Sequence, residues 1–487
     1  MSIYQKFVKD IATVAASEAI IKLRPILFLP ILTAFLSVAD YGVYATLLVT
    51  VTFLLPFATL GSEYGIIRFL SAEKNNKKIS STIFSVAAFV LVGSLLMGAL
   101  MFLSANFLAN TVFGDPHSSE AIRIAAAWVP LQALLGVFMN FFIMRQRMLT
   151  YSIFNISNAL FPTGLGVLSL LLGGGLSQLV YFYAIAQVVL VFASLLVFIK
   201  SVGVSMPNLR ILSPYLKFGT PLVLGTFSGT ILNVGDRYII GLLMGAAYVG
   251  VYSVAYTLGT TLLIILKPIS TALLAPASKS YDEERHHEVD KYLSYSIRYF
   301  LLLAIPAAVG LSVLSDSLTN SLANPQFLEG AFGVTALVAF STIFFGIYSI
   351  NSTILYLRKM VHQTVAMLFV AGVSNIALNL ILIPKMGLFG AGLSTLICFM
   401  GLAIATCILF KRWAKLSFEP LFIIKCSIAA LVMGVIVSYL NPAGWVRIMF
   451  ATGFGAGLYL LMLFGMGAFR KNEIRVARGL LRKVTRL

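Results

Sequence analysis

The sequence predicts an all-α polytopic membrane protein with about fourteen transmembrane helices, arranged as two six-helix bundles and an accessory helix pair. Three observations predict this fold. Of the 487 residues, 59% are apolar and 11% are charged, whereas roughly a quarter of the residues of a soluble domain are charged. Apolar runs of about 20 residues recur along the whole chain. A segment of the first half also recurs in the second half.

Each apolar run is long enough to cross roughly 30 Å of hydrocarbon as a helix. The runs are continuous rather than short and alternating, which argues against a transmembrane β-barrel. Glu18, Lys22 and Arg24 interrupt the first run and apolar sequence continues past them, so we expect a retained helix rather than a signal peptide. The predicted spans are 11–36, 42–62, 81–104, 121–144, 149–172, 176–199, 218–243, 248–277, 292–315, 331–357, 362–384, 387–410, 420–440 and 444–468.

The basic residues indicate how the helices are oriented. The net charge is +18, but 27 of the 35 Lys and Arg residues fall in the termini and in alternate loops. Only Lys385 and Arg447 fall on the opposite side. Cytoplasmic loops of membrane proteins carry such an excess, so we expect both termini in the cytoplasm and no nucleic-acid partner. The tail, residues 470–487, is basic and amphipathic, and we expect it to lie on anionic membrane lipid or in solvent.

An internal repeat defines the predicted domains. The segment 156–179 aligns without gaps on 373–396 with 9 of 24 positions identical, and "YGVY" at 41–44 matches "VGVY" at 249–252. The matches pair spans 5 and 6 with spans 11 and 12, so each unit has six helices and the two units enter the membrane in the same direction. Many transporters are built this way, with the substrate site between the repeats. The predicted domains are an N-terminal bundle (1–205), a C-terminal bundle (206–412), accessory helices (413–469) and the tail (470–487).

Charged side chains inside the spans are the candidate site residues. A cation near the centre of a membrane helix costs roughly 2.5 to 3.5 kcal/mol and usually marks a functional position. Glu18 precedes Lys22 by four residues, an orientation that favours a side-chain pair on one helix face. Arg24 lies two residues beyond Lys22, about 200° around the helix from it, so it cannot comfortably share that acid, and Pro25 follows it. We expect a substrate contact at Arg24, and Lys22 either at the site or paired.

Polar stripes on two later spans extend the predicted site. Thr226, Thr230, Asn233 and Arg237 share one face of span 7. Tyr252, Tyr256, Thr260 and Lys267 share one face of span 8. Asp236 points roughly 100° away from Arg237, which disfavours a well-aligned pair. The stripes predict the walls of a wet cationic cavity that would bind an anion, although polar residues also hold membrane helices together.

Several chemistries find no support in the sequence. There is no G-x-x-x-x-G-K-[ST] phosphate loop, and the loops are too short for a separate catalytic domain, so we expect a protein that is not an enzyme. The three cysteines lie within spans and predict no disulfide. The "DEERHHE" stretch at 282–288 is better interpreted as a solvated loop than as a metal site. We expect no cofactor, and the sequence leaves open whether an ion such as H⁺ or Na⁺ is coupled to transport.

The sequence resembles the Wzx-type polysaccharide flippases of the multidrug, oligosaccharidyl-lipid and polysaccharide (MOP) exporter superfamily, which includes the MATE transporters. The resemblance lies in "GDRYIIGLLMGAAYVGVYSVAYTLG" (235–259), "SNIALNLILIPKMGLFGAGLSTL" (374–396) and "DYGVYATLL" (40–48). It covers essentially the whole chain. Asp236 and Arg237 match an acidic-basic pair of that family in span 7. The cations of spans 1 and 8 match in type and depth only.

The resemblance implies a V-shaped pair of bundles that moves an undecaprenyl-pyrophosphate-linked oligosaccharide, such as an O-antigen unit of lipopolysaccharide, across a bacterial inner membrane. The implied partners are this lipid-linked oligosaccharide, membrane lipids and other proteins of polysaccharide assembly. Arg24, Arg237 and Lys267 would then neutralise the pyrophosphate during alternating access. Three alternatives remain open from the sequence: a flippase for the peptidoglycan lipid precursor, an ion-coupled multidrug exporter, and a membrane enzyme that acts on lipid-linked sugars.

Overall fold

The computed structural model describes residues 3–328, 333–358, 360–410, 419–440 and 442–469, and every regular element in these ranges is a helix. The all-α fold class predicted from the sequence is therefore confirmed. The basic tail, residues 470–487, lies outside the described residues.

The α-helices in chain order are α1 (Ile3–Phe35), α2 (Val38–Thr59), α3 (Ser62–Leu70), α4 (Asn76–Leu103), α5 (Ala105–Phe107), α6 (Ser118–Ala125), α7 (Trp128–Met144), α8 (Met148–Leu171), α9 (Leu176–Val202), α10 (Leu212–Met244), α11 (Ala246–Thr260), α12 (Leu263–Asp282), α13 (His286–Val313), α14 (Ser315–Leu322), α15 (Val334–Leu357), α16 (Val361–Phe410), α17 (Pro420–Leu440) and α18 (Trp445–Gly465). A π-helical turn (Leu108–Phe113) and the 3-10 turns Leu209–Ile211 and Pro325–Leu328 lie between them.

The chain crosses the membrane many times. Within the described ranges, ten helical segments are long and apolar enough to do so, or up to eleven if α11 and α12 form one bent span. One of them, His362–Phe410, has 49 residues, more than twice the length that one crossing needs, about 20 residues. Helices α1 and α10 have 33 residues each, which is also sufficient length, but polar residues interrupt them. The predicted number of fourteen spans is therefore approximate.

Two breaks within the helices follow from local backbone chemistry. Helix α16 is interrupted at Gly387, whose φ of 58° and ψ of −141° are not helical. Pro384 lies one turn earlier and cannot donate a hydrogen bond to the preceding turn, which weakens the helix there. The break agrees with the predicted junction between spans 11 and 12.

The predicted span over 248–277 is broken in the structure. The structure has two helices, α11 and α12, bent by 40° at residues 261–262. Pro268 lacks the N–H that would hydrogen-bond to the carbonyl of Ile264, so the first turn of α12 is loosened. The Thr260 and Thr261 hydroxyls donate to carbonyls one turn back, which also favours bending.

The chain forms two compact units. The first comprises Met1–Val254, Leu322–Ala331 and Val361–Ser394. The second comprises Ala255–Ser321, Phe332–Met360 and Thr395–Leu487. The division into bundles at residue 205, suggested by the repeat, stays a prediction.

In the first unit, α8 packs against α1 and α9, while α7 packs against α4 and α9. Helix α2 lies along α4 and α10. The core between these helices is rich in phenylalanine, since the rings of Phe138 and Phe141 both contact that of Phe198. This packing brings α1, α2, α7, α8 and α9 together around one interior.

In the second unit, α13 packs against α12, α15, α17 and α18. It carries a buried cation, because Arg298 is only 6% exposed and pairs with Glu419. The guanidinium also donates to the Ala468 carbonyl at 2.8 Å and lies 3.8 Å from the centroid of the Phe422 ring. These contacts attach the accessory helices α17 and α18 to α13.

Candidate functional site

The adjacent charges on α10 are both buried. The Asp236 residue is 1% exposed and Arg237 is 8% exposed. Their closest charged atoms, Asp236 Oδ1 and Arg237 Nη1, are 3.8 Å apart, at the outer limit of an ion pair. A buried charge that lacked any counter-charge would be far more costly, so even this loose pairing matters for stability.

The stronger partners of both residues lie on α11. The Tyr252 hydroxyl, in a fully buried side chain, donates to Asp236 Oδ2. The Arg237 Nε donates to the Ser253 hydroxyl at 3.3 Å. Two consecutive residues of α11 thus hold the two consecutive charges of α10. The sequence disfavoured a well-aligned pair between these neighbours, and in the structure the long Arg237 side chain reaches both the Ser253 hydroxyl and, loosely, the neighbouring carboxylate.

Arg24 on α1 has a different environment. It is half-buried, and the structure records no ion pair for it within the described part of the chain. Lys22 is exposed, and the Glu18–Lys22 pair expected from their spacing is not formed. Glu18 instead lies near Tyr151 of α8. Arg24 is therefore a cation of helix α1 whose charge is not balanced by a contacting carboxylate of the described residues.

Two tyrosines of α2 lie near the arginines. Tyr41 is buried and lies within electrostatic range of both Arg24 and Arg237. Tyr44, one helical turn further, lies within electrostatic range of Arg24. The "YGVY" segment at 41–44 therefore supplies two phenol groups to the site. The sequence singled out this segment as a repeat but did not assign its tyrosines a role.

A cluster of amides lies in the interior of the first unit. Asn158 Oδ1 on α8 accepts from Gln187 Nε2 on α9 at 2.9 Å and from Gln132 Nε2 on α7 at 3.4 Å. The ring of Tyr183 on α9 lies near both glutamines and contacts that of Trp128, with 4.1 Å between their centroids and a tilt of 31° between their planes. Pro162 on α8 cannot donate to the Asn158 carbonyl, so the helix is locally opened at this cluster.

Three buried oxygen atoms beside this cluster have no hydrogen-bond partner among the described residues: Tyr44 Oη, Thr163 Oγ1 and Gln187 Oε1. Tyr44 and Thr163 lie near each other, without reaching hydrogen-bond geometry. Buried polar atoms are bonded in the great majority of cases. These exceptions therefore call for a physical explanation.

The remaining predicted residues are more scattered. The side chain of Asn233 lies outside the described residues. Thr226 and Thr230 on α10 each donate to a carbonyl four residues back. Tyr256 is buried on α11, and Lys267 is exposed on α12, both in the second compact unit.

A second buried amide cluster lies on α16. Asn379 Nδ2 donates to Asn375 Oδ1 at 3.0 Å, and the Ser394 hydroxyl bonds to Asn379 Oδ1. The internal repeat pairs the buried Asn375 with the half-buried Asn158, so both halves of the chain have an asparagine of an amide cluster at the same position of the repeat. The repeat was the only sequence signal that could have identified the two amide clusters.

The arrangement is suited to binding rather than to bond breaking. Arginine and hydroxyl donors converge near α2, and these are groups that hold phosphate or carboxylate oxygens. Among the residues that the structure describes, no three His, Cys, Asp or Glu side chains gather to hold a metal ion.

Two family models match the sequence. The model described as polysaccharide biosynthesis protein matches residues 7–282, which is more than half of the chain. The model described as MatE matches residues 221–381.

Individual relatives are distant. The probable low-salt glycan biosynthesis flippase Agl15 of Haloferax volcanii is 23% identical over 241 residues, which are 49% of this chain and 50% of the relative. The lipid II flippase MurJ of Bacillus subtilis is 24% identical over 243 residues, 45% of each chain. The chain thus matches half or less of the length of these relatives. Both are described as flippases rather than as enzymes.

A solved structure is similar over nearly the whole chain. The structure of lipid II flippase MurJ in an inward closed conformation superposes with a TM-score of 0.73 and 17% identity, covering 95% of this chain and 100% of that one. At this identity the similarity establishes the fold only. It agrees with the MATE-like fold expected from the sequence.

Proposed function

The chain belongs to the polysaccharide biosynthesis protein family of the MOP exporter superfamily, and on this premise we propose that it is a flippase for a lipid-linked oligosaccharide. The substrate we propose is an undecaprenyl-pyrophosphate-linked repeat unit of a surface polysaccharide such as O-antigen. It would be moved from the cytoplasmic to the external leaflet of a bacterial inner membrane. The family model and the glycan biosynthesis relative support a glycan substrate.

The observation that carries the proposal is the environment of Arg24. A half-buried guanidinium within a membrane helix, with no contacting carboxylate among the described residues, lies beside buried tyrosines. A charge in this position is costly unless a counter-charge is supplied. The pyrophosphate of a lipid-linked sugar would supply it, and arginine forms strong bidentate hydrogen bonds with phosphate oxygens.

In this mechanism the pyrophosphate binds to Arg24, and Arg237 and Lys267 contribute positive potential. The polar stripes and the interior amides would accommodate the sugars, while the prenyl tail stays in lipid. The excess of basic residues in the termini and alternate loops supports an orientation with both termini in the cytoplasm. Membrane lipids and other polysaccharide-assembly proteins are the partners we propose.

The test is leaflet-resolved accessibility of a labelled lipid-linked oligosaccharide in proteoliposomes. We expect Arg24→Ala to slow translocation roughly 10- to 100-fold, the range for loss of a hydrogen bond to a charged group. Arg123→Ala is the matched control, since Arg123 is an exposed guanidinium of α6 that contacts Asn106 instead. Equal translocation by the parent and by Arg24→Ala would remove Arg24 from the mechanism.

A second candidate substrate is the peptidoglycan lipid precursor, favoured by the similarity to the MurJ flippase of Bacillus subtilis. The same vesicle assay with labelled lipid II in place of the oligosaccharide separates the two. Growth of cells depleted of their lipid II flippase, when they express this chain, would favour the second candidate.

An ion-coupled multidrug exporter is less well supported. Such a protein needs unbalanced buried acids to bind lipophilic cations, whereas Asp236 already accepts from Tyr252 and lies near Arg237. Tight binding of a lipophilic cation such as ethidium would favour the exporter.

A further inference from the structure

A linker, residues 203–211, joins α9 to α10 and thereby connects the two halves of the internal repeat. Residues 203–208 have no regular structure, and Leu209–Ile211 form a 3-10 turn. Gly203 ends α9 with a φ of 78°, in the left-handed region that glycine adopts without strain. The linker backbone therefore lacks the hydrogen bonds of a helix and needs other partners.

Three serines of α4 supply such partners. Each serine hydroxyl bonds to one backbone group of the linker. The bonds join Ser80 to the Gly203 carbonyl at 2.8 Å, Ser81 to the Met206 carbonyl at 2.8 Å, and the Asn208 N–H to the Ser85 hydroxyl at 2.7 Å. The linker is thus fixed on the N-terminal part of α4, so the fold determines where its side chains point.

The linker carries three large apolar side chains that the rest of the described chain leaves uncovered. Val204 is 70% exposed, Met206 89% and Leu209 60%. Met206 is the most exposed of the large apolar side chains in the described ranges. By contrast, Val202 and Leu212 at the two ends of the linker are buried in the core. Apolar side chains gathered outside the core mark a contact surface.

The position of the linker indicates what covers this surface. It begins directly after Leu176–Val202, a helix that is long and apolar enough to cross the membrane. The linker therefore lies at the membrane surface, and apolar side chains there enter the boundary between headgroups and acyl chains. Three side chains are too few for a stable protein interface, which buries about 800 Å² per partner.

The charges around the linker indicate which lipid it contacts. Lys200 and Arg210 are exposed at its two ends. Residues 121–235 contain no Asp or Glu, and Glu73, which precedes α4, is already paired with Lys78 at 2.7 Å. Such a basic surface attracts anionic headgroups, which are concentrated in the cytoplasmic leaflet. The orientation that we propose places the linker at this leaflet.

We infer that the linker is a binding surface for anionic lipid. Its apolar side chains enter the headgroup boundary, while Lys200 and Arg210 contact the anionic headgroups. The α4 serines hold the linker backbone in the orientation that presents these side chains. The inference goes beyond the proposed function, because it concerns lipid of the surrounding membrane rather than the transported substrate.

A fluorescent probe on the linker tests the inference. Met206→Cys is labelled with the NBD fluorophore in a full-length protein whose native cysteines, Cys398, Cys407 and Cys426, are replaced by alanine. The protein is reconstituted in phosphatidylcholine vesicles that contain a small fraction of doxyl-labelled phosphatidylglycerol or of doxyl-labelled phosphatidylcholine. Doxyl groups on the acyl chains quench a fluorophore that reaches the lipid. Iodide, present on both faces of the vesicles, quenches a fluorophore in water.

We expect strong quenching of the Met206→Cys probe by doxyl lipid and little quenching by iodide. The relative association constant from doxyl quenching should favour phosphatidylglycerol about fivefold or more, the factor for one cation at an anionic membrane surface. Lys200→Gln combined with Arg210→Gln should bring this ratio to about one. Arg123→Gln is the matched control and should leave the ratio unchanged, because Arg123 is an exposed cation of α6 that contacts Asn106.

A second control places the probe in an acidic turn. His287→Cys, at the start of α13, replaces a side chain that is also exposed. Four acids lie close to it in the sequence: Asp282, Glu283, Glu284 and Glu288. These acids repel anionic lipid, so iodide should quench this probe and doxyl-labelled phosphatidylglycerol should not. Leu209→Cys is a second reporter on the linker and should behave like Met206→Cys.

Three results would overturn the inference. Equal quenching by iodide of the probes at residues 206 and 287 would place the linker in water. Protection of the linker probes from both iodide and doxyl lipid would mean that protein, such as a second copy of the chain, covers them. Equal quenching by the two doxyl lipids would remove the preference for anionic headgroups. Translocation of the oligosaccharide is measured separately, so each of these results leaves the proposed function intact.

Discussion

Gly42 on α2 and Gly250 on α11 lie against each other where the two helices cross, and each makes room for backbone atoms of the other helix. A Cβ atom on Gly42 would lie 2.0 Å from the Ala246 carbonyl oxygen and 2.8 Å from the Gly250 nitrogen. A Cβ atom on Gly250 would lie 2.1 Å from the Val38 carbonyl oxygen. The repeat aligns these two glycines, so the crossing joins equivalent points of the two halves of the sequence.

We predict that Gly42→Ala and Gly250→Ala each lower the stability of the protein by about 1 to 3 kcal/mol or more, because overpacking against backbone cannot be relieved by a rotamer change. Thermal unfolding in detergent measures the effect. Gly136→Ala on α7 is the control, since its Cβ would have no atom within 4 Å. An unfolding temperature equal to that of the parent in Gly42→Ala would contradict close packing at the crossing.

Asp236 and Arg237 are adjacent buried charges, each bonded to α11, with 3.8 Å between their closest charged atoms. We therefore expect their contributions to stability to be coupled. Removal of one member of a buried pair typically costs about 3 to 5 kcal/mol because the other charge is left uncompensated. Asp236→Asn and Arg237→Met should each destabilise the protein, and the double variant should be more stable than the sum of the two effects. A double-mutant cycle on unfolding free energies measures this coupling. Strictly additive effects would mean that the 3.8 Å contact carries no energy.

Arg298 should be essential for attachment of the accessory helices. Arg298→Met leaves the Glu419 carboxylate without its partner and loses the bond to the Ala468 carbonyl, so we expect a loss of about 3 kcal/mol or more. Lys425→Met is a matched control, because Lys425 is less buried and donates to a single carbonyl, that of Gly467. It should change stability by less than about 0.5 kcal/mol. Similar unfolding temperatures for both variants would argue against the attachment.

Asn158 should stabilise the interior of the first unit through both glutamines. Asn158→Leu removes the acceptor of the half-buried Gln132 and of the buried Gln187, and a buried donor left without a partner costs about 1 to 3 kcal/mol. Unfolding of the variant in detergent measures the loss. Asn155→Leu, one turn earlier on α8, is the control for an asparagine outside the cluster. If the two variants were equally stable, the amide cluster would not contribute to folding.

The sequence predicted the helical membrane fold and most helix boundaries, since both depend on local properties. Runs of apolar residues define helices, and basic loops predict their direction. The break of α16 near Pro384 and Gly387 was predictable for the same reason. The break between α11 and α12 was missed, because the apolar run continues through residues 261–262 and tertiary packing selects where it bends.

The sequence alone also identified Arg24, Asp236 and Arg237 as unusual, because a charge inside an apolar run is visible without any coordinates. Only the tertiary structure decided which of these charges is satisfied. Hydrogen bonding depends on how side chains of different helices meet, as in the contact of Tyr252 on α11 with Asp236 on α10. Tyr252 and Tyr44 occupy the same position of the repeated motif, but only the Tyr252 hydroxyl is bonded to a carboxylate. The Tyr44 hydroxyl has no hydrogen-bond partner among the described residues.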